Sequence, residues 1–431
     1  MPVTRSQVAW VCIGQVLALA GYSAVPALLP KFISIWSLSN TQAGWLAGAF
    51  YVGYMAAVLP LVALTDRVAS RRIYLGAALL NLAYYFMFAA AEGWFPALVI
   101  QMVGGVALAG LYMPGLRSIV PAGRSTLPAG ERSPTHTKRS SGGRRARTVA
   151  WYTSSFTAGA SLSFLFAGQL ANHLGWRSAF IGAGACAAAA LAIATAAVPR
   201  STRPVISAAT RLMDLPAVLR NRQAMAFVIS YVAVIWSASG LRNWIVLLLD
   251  SSVDGRAAAA AGSWMTLGTA TLINLLGVPA ALMGNELAIH FGLRRTAGVA
   301  FILAAFTAGF FGFAATLPPS VLCALALISA VLLQLNFANL TAGLMAAAEP
   351  ARVGLTLAFY SFMGFGGSFL GPLVFGWTLD HFGGTRSLVA WGLAYGSCGL
   401  AALIGGAVVL LVAHDEVRSA TPLRGRSEKA A

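Results

Sequence analysis

The sequence predicts an all-α membrane protein, with twelve transmembrane helices in two pseudo-symmetric six-helix bundles. Composition and an internal duplication carry that prediction. Of 431 residues, 58% are hydrophobic and 10% charged, against roughly 25% charged in soluble domains. A bilayer asks for about 20 apolar residues per helical span. Such runs lie near 8–30, 41–63, 73–91, 96–115, 149–171, 177–198, 224–249, 259–283, 296–316, 320–347, 353–378 and 388–413.

The duplication is written in two echoes. Leu64 to Arg72 reads Leu-Thr-Asp-Arg-Val-Ala-Ser-Arg-Arg, and Leu287 to Arg295 repeats its frame. Arg67 faces His290, Ala69 faces Gly292, and Arg71 and Arg72 face Arg294 and Arg295, while Asp66 has become Ile289. The second echo needs no gap. Trp151, Tyr152, Thr153, Gly159, Leu162, Gly168, Asn172, His173 and Gly175 recur 208 residues later as Phe359, Tyr360, Ser361, Gly367, Leu370, Gly376, Asp380, His381 and Gly383. The first echo is spaced 223 residues apart, which leaves 15 extra residues in the first half. The basic stretch at 117–148 can hold them.

These features divide the chain into an N-terminal bundle over 1–198, a cytoplasmic linker over 199–223, a C-terminal bundle over 224–413 and a cytoplasmic tail over 414–431. The formal charge of +17 invites a nucleic-acid reading, but the placement of the basic residues opposes it. With the N-terminus inside, 24 of the 29 Lys and Arg residues fall in inside segments and five outside, namely Lys31, Arg177, Arg242, Arg256 and Arg386. That is the positive-inside bias of a multi-pass protein of the bacterial inner membrane with both termini cytoplasmic. No nucleic-acid partner is expected. Cys12, Cys186, Cys323 and Cys398 all lie in apolar spans without metal-ligand spacing, so no disulfide framework, metal or cofactor is expected.

Along the chain, the first helix should end around Pro26 and Pro30, with Lys31 to Asn40 as an outside loop. Arg5 before an apolar run and Ala18-Leu19-Ala20 look like a signal peptide, but the run continues to Pro30 and reads as an uncleaved span. Ser39 and Gln42 stand at capping-box spacing for helix two. The 117–148 stretch, rich in Ser, Gly, Pro and Arg, should be an unstructured cytoplasmic loop: a positive-inside anchor, or a lipid-headgroup contact through Arg144, Arg145 and Arg147. Helix eleven carries Gly364, Gly366, Gly367, Gly371 and Gly376, a stripe for close helix approach, with Pro372 as a bend.

Twelve spans in two repeated halves, with the Asp66 loop between helices two and three, resemble the major facilitator superfamily over nearly the whole chain. The family signature there is G-x-x-x-D-(R/K)-x-G-x-(R/K)-(R/K); Asp66, Arg67, Arg71 and Arg72 match it, and Val62 and Ala69 replace its glycines. The resemblance implies that Asp66, Arg67, Arg71 and Arg72 form a conformational latch, with Arg294 and Arg295 as its partial copy. Physically, an aspartate beside a helix N-terminus and arginines makes contacts that one conformation forms and another breaks. Gln101 stands where many members carry an arginine, and Gly159 to Gly168 lacks the proline typical of antiporters.

No carboxylate falls at mid-membrane, and the five histidines lie in loops or at span ends. Nothing assembles a nucleophile, base and metal set, so an enzyme is not expected. Arg242 is the exceptional charge, about 9 Å beyond the middle of helix seven at the helical rise. Arginine inside a span costs roughly 2.5 to 3.5 kcal/mol at the centre. It reads either as an anion-binding guanidinium facing a central cavity or as a snorkelling residue beside Trp244. The resemblance implies that helices one, four, seven and ten line the path. Their polar residues Tyr22, Gln101, Trp236, Gln334, Asn336 and Asn339 join Arg242 as candidate substrate ligands; interhelical hydrogen bonding is the alternative for each. The expected function is secondary transport of a small solute, leaning toward a small organic or inorganic anion, by a monomer that also contacts membrane lipids and a possible coupling ion. Efflux of amphipathic compounds and a non-transporting sensor are the alternatives.

Overall fold

The computed structural model describes residues 4–64, 68–119, 137–198, 215–252, 258–349 and 352–412. The first span is α1 (Arg5–Ala18), α2 (Ala24–Ala27) and α3 (Leu29–Trp36); α4 (Asn40–Leu64), α5 (Ser70–Ala89), α6 (Trp94–Ile119), α7 (Thr137–Leu174) and α8 (Trp176–Ala197) complete the first bundle. After the short α9 (Leu215–Arg220) come α10 (Arg222–Ser252), α11 (Ala258–Leu275), α12 (Gly277–Phe291), α13 (Leu293–Phe311), α14 (Pro319–Ala347), α15 (Val353–His381) and α16 (Leu388–Val412). Among the described residues, ten helices are long and apolar enough to cross a membrane. The broken first span and α7 bring the helical spans to twelve, with α11 and α12 forming one span across a turn at Leu276.

Two local expectations are corrected. The first helix does not stop at Pro30, because proline is tolerated in a first helical turn; α3 starts there and runs to Trp36. Lys31 then donates from Nζ to the Ala171 carbonyl at 2.8 Å, capping the end of α7. The 117–148 segment is helical at both edges, since α6 reaches Ile119 and α7 begins at Thr137; residues 120–136 lie outside the described set, and of Arg144 and Arg145 only the helical backbone is described. Pro372 lies inside α15, and its carbonyl accepts the Trp244 indole N–H at 3.2 Å.

The duplication shows in the backbone. Gly175 after α7 and Gly383 after α15, paired by the echo, both have positive φ, 86° and 106°, a conformation open to glycine without a Cβ clash.

The bundle has a near end, where α1 starts and α16 stops, and a distal end with the turns before α4, α6, α8 and α16. The halves meet along α4 and α15. Ser39 Oγ accepts from the Gln42 amide at 3.1 Å and Gln42 Oε1 accepts from the Ser39 amide at 3.0 Å, so the expected capping box forms. The Ala43 amide bonds the Ser39 carbonyl. The remaining free donors of this helix start, the amides of Asn40 and Thr41, are taken by Asp380 from the other half at 2.9 and 2.7 Å. Asn40 Nδ2 and Thr41 Oγ1 add bonds to the same carboxylate at 2.8 and 2.6 Å. A methyl at Gly376 would collide with the Asn40 carbonyl, and one at Gly44 would lie 2.5 Å from the Pro372 carbonyl. Only glycine allows this approach. The seam continues through Trp45 on Phe369, centroids 5.3 Å apart, and Tyr54 on Phe365 at 3.9 Å.

Candidate functional site

Midway along the first span the helix stops. The Ala18 carbonyl, released from the helical ladder, accepts Asn81 Nδ2 at 2.9 Å and the Tyr85 hydroxyl at 3.0 Å, both from α5. Ser23 is fixed to α7: its Oγ donates to the Ala160 carbonyl at 2.9 Å, and its amide to Ser163 Oγ at 3.0 Å. With its backbone groups satisfied from two neighbours, the break holds Tyr22 against Phe50 and Phe156, ring centroids 5.5 and 5.9 Å away.

Tyr22, Ser23 and Pro26 form one wall of a small pocket. Helix α4 adds Ala47, Phe50 and Tyr51, α6 adds Gln101, and α10 crosses from the other half with Arg242 and Asn243. Gln101 is buried, and its Oε1 accepts the Tyr84 hydroxyl at 2.6 Å. The buried Asn243 amide donates to the Ser239 carbonyl at 2.8 Å and to Ser239 Oγ at 3.1 Å.

Half-buried Arg242 donates to the Tyr51 hydroxyl, and its guanidinium carbon lies 5.8 and 5.7 Å from the Tyr22 and Tyr51 ring centroids. Cation–π contact offsets part of the desolvation cost. Among the described residues no carboxylate lines this pocket. Trp244, the partner for a snorkelling pair, is instead fully buried and bonded to α15. The cation therefore sits in the seam, donors available and charge uncompensated.

Of the seven candidate ligands, the structure brings Tyr22, Gln101 and Arg242 together. Trp236 points its indole N–H at Ser397 on α16, 3.4 Å away. Gln334 lies against Gly277, where a methyl would come within 2.5 Å of its Nε2. Asn339 donates to the Gly284 carbonyl at 3.0 Å, tying α14 to α12, and Asn336 is fully buried without a hydrogen-bond partner. Of the latch residues, Asp66 and Arg67 lie outside the described set. Arg71 donates Nε to the Val198 carbonyl at 3.0 Å and NH2 to Thr195 at 2.9 Å, capping α8 within its own half. Arg72 on α5 and Arg294 and Arg295 on α13 are all exposed at the near end. Tyr51 and Phe50 were not among the expected ligands. Their signal was the Gly44 and Gly48 spacing on α4, one helical turn before Tyr51, which brings a backbone and its next aromatic residues against the opposite half.

The family model for the Major Facilitator Superfamily matches residues 11–277. This chain belongs to that superfamily. A relative named uncharacterized transporter YgaY, from Escherichia coli O157:H7, is 30% identical over 164 residues, 38% of this chain and 37% of the relative. The chain thus matches little more than a third of that relative's length. Among solved structures, a bacterial homolog of the human lysosomal transporter Spinster, inward-facing and occupied, gives a TM-score of 0.74 at 15% identity, covering 95% of this chain and 97% of that one. The nucleoside transporter NupG gives 0.69 at 14% identity, covering 93% and 98%. At such identities the likeness is one of fold.

Proposed function

We propose that this superfamily member is a secondary transporter that moves a small anion across the bacterial inner membrane by alternating access. One observation carries the reading: a guanidinium with no carboxylate partner, set in the pocket where the halves meet. A buried charge left unpaired is costly, and an anionic solute would supply the missing partner in a bidentate geometry. Because Arg242 belongs to one half and Tyr51 to the other, a bound anion at Arg242 acts directly on the seam. With the distal end outside, the Asp380 contacts close the outer side; Asp66, Arg67, Arg71 and Arg72 act when the near end closes instead. A site between two halves is where this type of carrier binds its solute.

The test is thermal stabilisation of the purified protein against small anions and amphipathic cations, repeated on Arg242→Gln. Anions at a hundred times their dissociation constant should contribute about 2.7 kcal/mol in the wild type and nothing in Arg242→Gln. The aromatic lining of Tyr22, Phe50 and Tyr51 favours a second reading, efflux of amphipathic compounds. Equal stabilisation of both proteins by cations, with none by anions, would replace the first reading with the second.

A further inference from the structure

We infer that, if the anion-carrier reading holds, the pocket selects a small monocarboxylate with a compact apolar body and no ammonium group. The inference rests on how the lining distributes charge and hydrogen-bonding capacity.

The polar groups lining the pocket include one cation and no carboxylate; Asn243, its NH2 committed to Ser239, presents only a neutral carbonyl oxygen. Arg242 has five N–H donors, of which the Tyr51 hydroxyl takes one direction. Gln101 uses its carbonyl oxygen on Tyr84, so its NH2, only 3.5 Å from the Leu46 carbonyl in a long contact, is what it offers to a ligand. Ser23 is committed to the Ala160 carbonyl. Around them, Pro26, Ala47, Phe50 and the ring of Tyr22 form an apolar wall.

Three classes of anion fit this arrangement poorly. An amino acid would bring its carboxylate to Arg242 but set its ammonium in the same pocket with no lining carboxylate to receive it, a like charge in low dielectric. A dicarboxylate would need a second cation, and Arg242 is the one charged residue among those lining the pocket. A small inorganic oxyanion calls for donors on every side, whereas Pro26, Ala47 and Phe50 supply no side-chain donor here. A monocarboxylate places one charge against one guanidinium and its body against the rings.

The experiment compares compounds built on one skeleton, by shift in melting temperature and by isothermal titration on wild type. The set is 3-methylbutanoate, valine (the same skeleton with an ammonium), methylsuccinate (a second carboxylate) and 3-methylbutylammonium (the carboxylate replaced by a cation), with nitrate and sulfate alongside. The expected result is binding of 3-methylbutanoate at least tenfold tighter than valine, methylsuccinate, nitrate or sulfate, and loss of that binding in Arg242→Gln. Binding of valine, methylsuccinate or either inorganic ion within threefold of 3-methylbutanoate overturns the monocarboxylate inference and leaves the anion reading standing. Binding of 3-methylbutylammonium alone overturns both, as does binding by no member of the set. The wild-type comparison decides the selectivity even if Arg242→Gln does not fold.

Discussion

Asp380, exposed at the distal end, is the most sharply testable of the contacts that join the halves. Its carboxylate satisfies the two amides at the start of α4 that no group in their own half reaches, and it takes two side-chain donors besides. Asp380→Ala removes all four bonds. A lost helix cap costs about 0.5–2 kcal/mol, and a lost anion at the helix dipole another 0.3–1 kcal/mol. Solvent exposure at this site keeps the sum near the lower figures for charged hydrogen bonds. Together they amount to roughly 1–3 kcal/mol, a change of about fivefold to 150-fold in the ratio of distal-closed to distal-open molecules. Asp380→Asn should do nearly as much, because its amide must turn an N–H toward one of four donors. The assay is double electron–electron resonance between spin labels at Ser34→Cys on α3 and Arg386→Cys beyond α15, both exposed, with the four native cysteines replaced. Wild type should show one short distance; Asp380→Ala should add a longer population. An unchanged distribution in both Asp380 variants would refute the latch and assign closure to the glycine seam alone.

Three further outcomes follow from the same geometry. Ser39→Ala removes the cap on Gln42 and half of the capping box, and should cost about 1 kcal/mol, read as a lower melting temperature without change in anion selectivity. Tyr84→Phe leaves the buried Gln101 carbonyl oxygen without its donor, a loss of about 1–3 kcal/mol visible in the same melt; an unaltered melt would mean the contact is replaced by water. Gly105→Ala would drive a methyl into the Phe50 carbonyl and the Tyr54 amide, forcing α6 off α4. Overpacking of this kind costs about 1–3 kcal/mol, and because Phe50 and Tyr51 move with it, anion affinity should fall along with melting temperature.

Much of this protein could be read from its chain because the bilayer restricts what a backbone can do. Every span must satisfy its own amides, so long apolar runs could only be helices, and their number followed from their length. The echo at 208 residues fixed the pairing of α7 with α15, down to the matched glycines at 175 and 383. Ser39 and Gln42 announced a helix start by local hydrogen bonding alone. Arg242 stood out because a charge at that depth is expensive wherever its partner lies.

What the chain left open depended on contacts between residues far apart in it. Gly21 and Pro26 mark a weak point in the first span, but the break is held because Asn81, Tyr85, Ala160 and Ser163 accept or supply the backbone's lost bonds. Whether an amide on a pore-type helix faces solute or a neighbouring helix is a matter of rotation, and rotation is set by packing. That is why Gln101 reached the pocket while Gln334 and Asn339 turned to α12. Sequence determined the helices, their duplication and the costly arginine. Tertiary structure decided that Tyr51 and Tyr22 would meet that arginine, and that a carboxylate from one half would complete the helix start of the other, because only folding brings those groups within hydrogen-bonding distance.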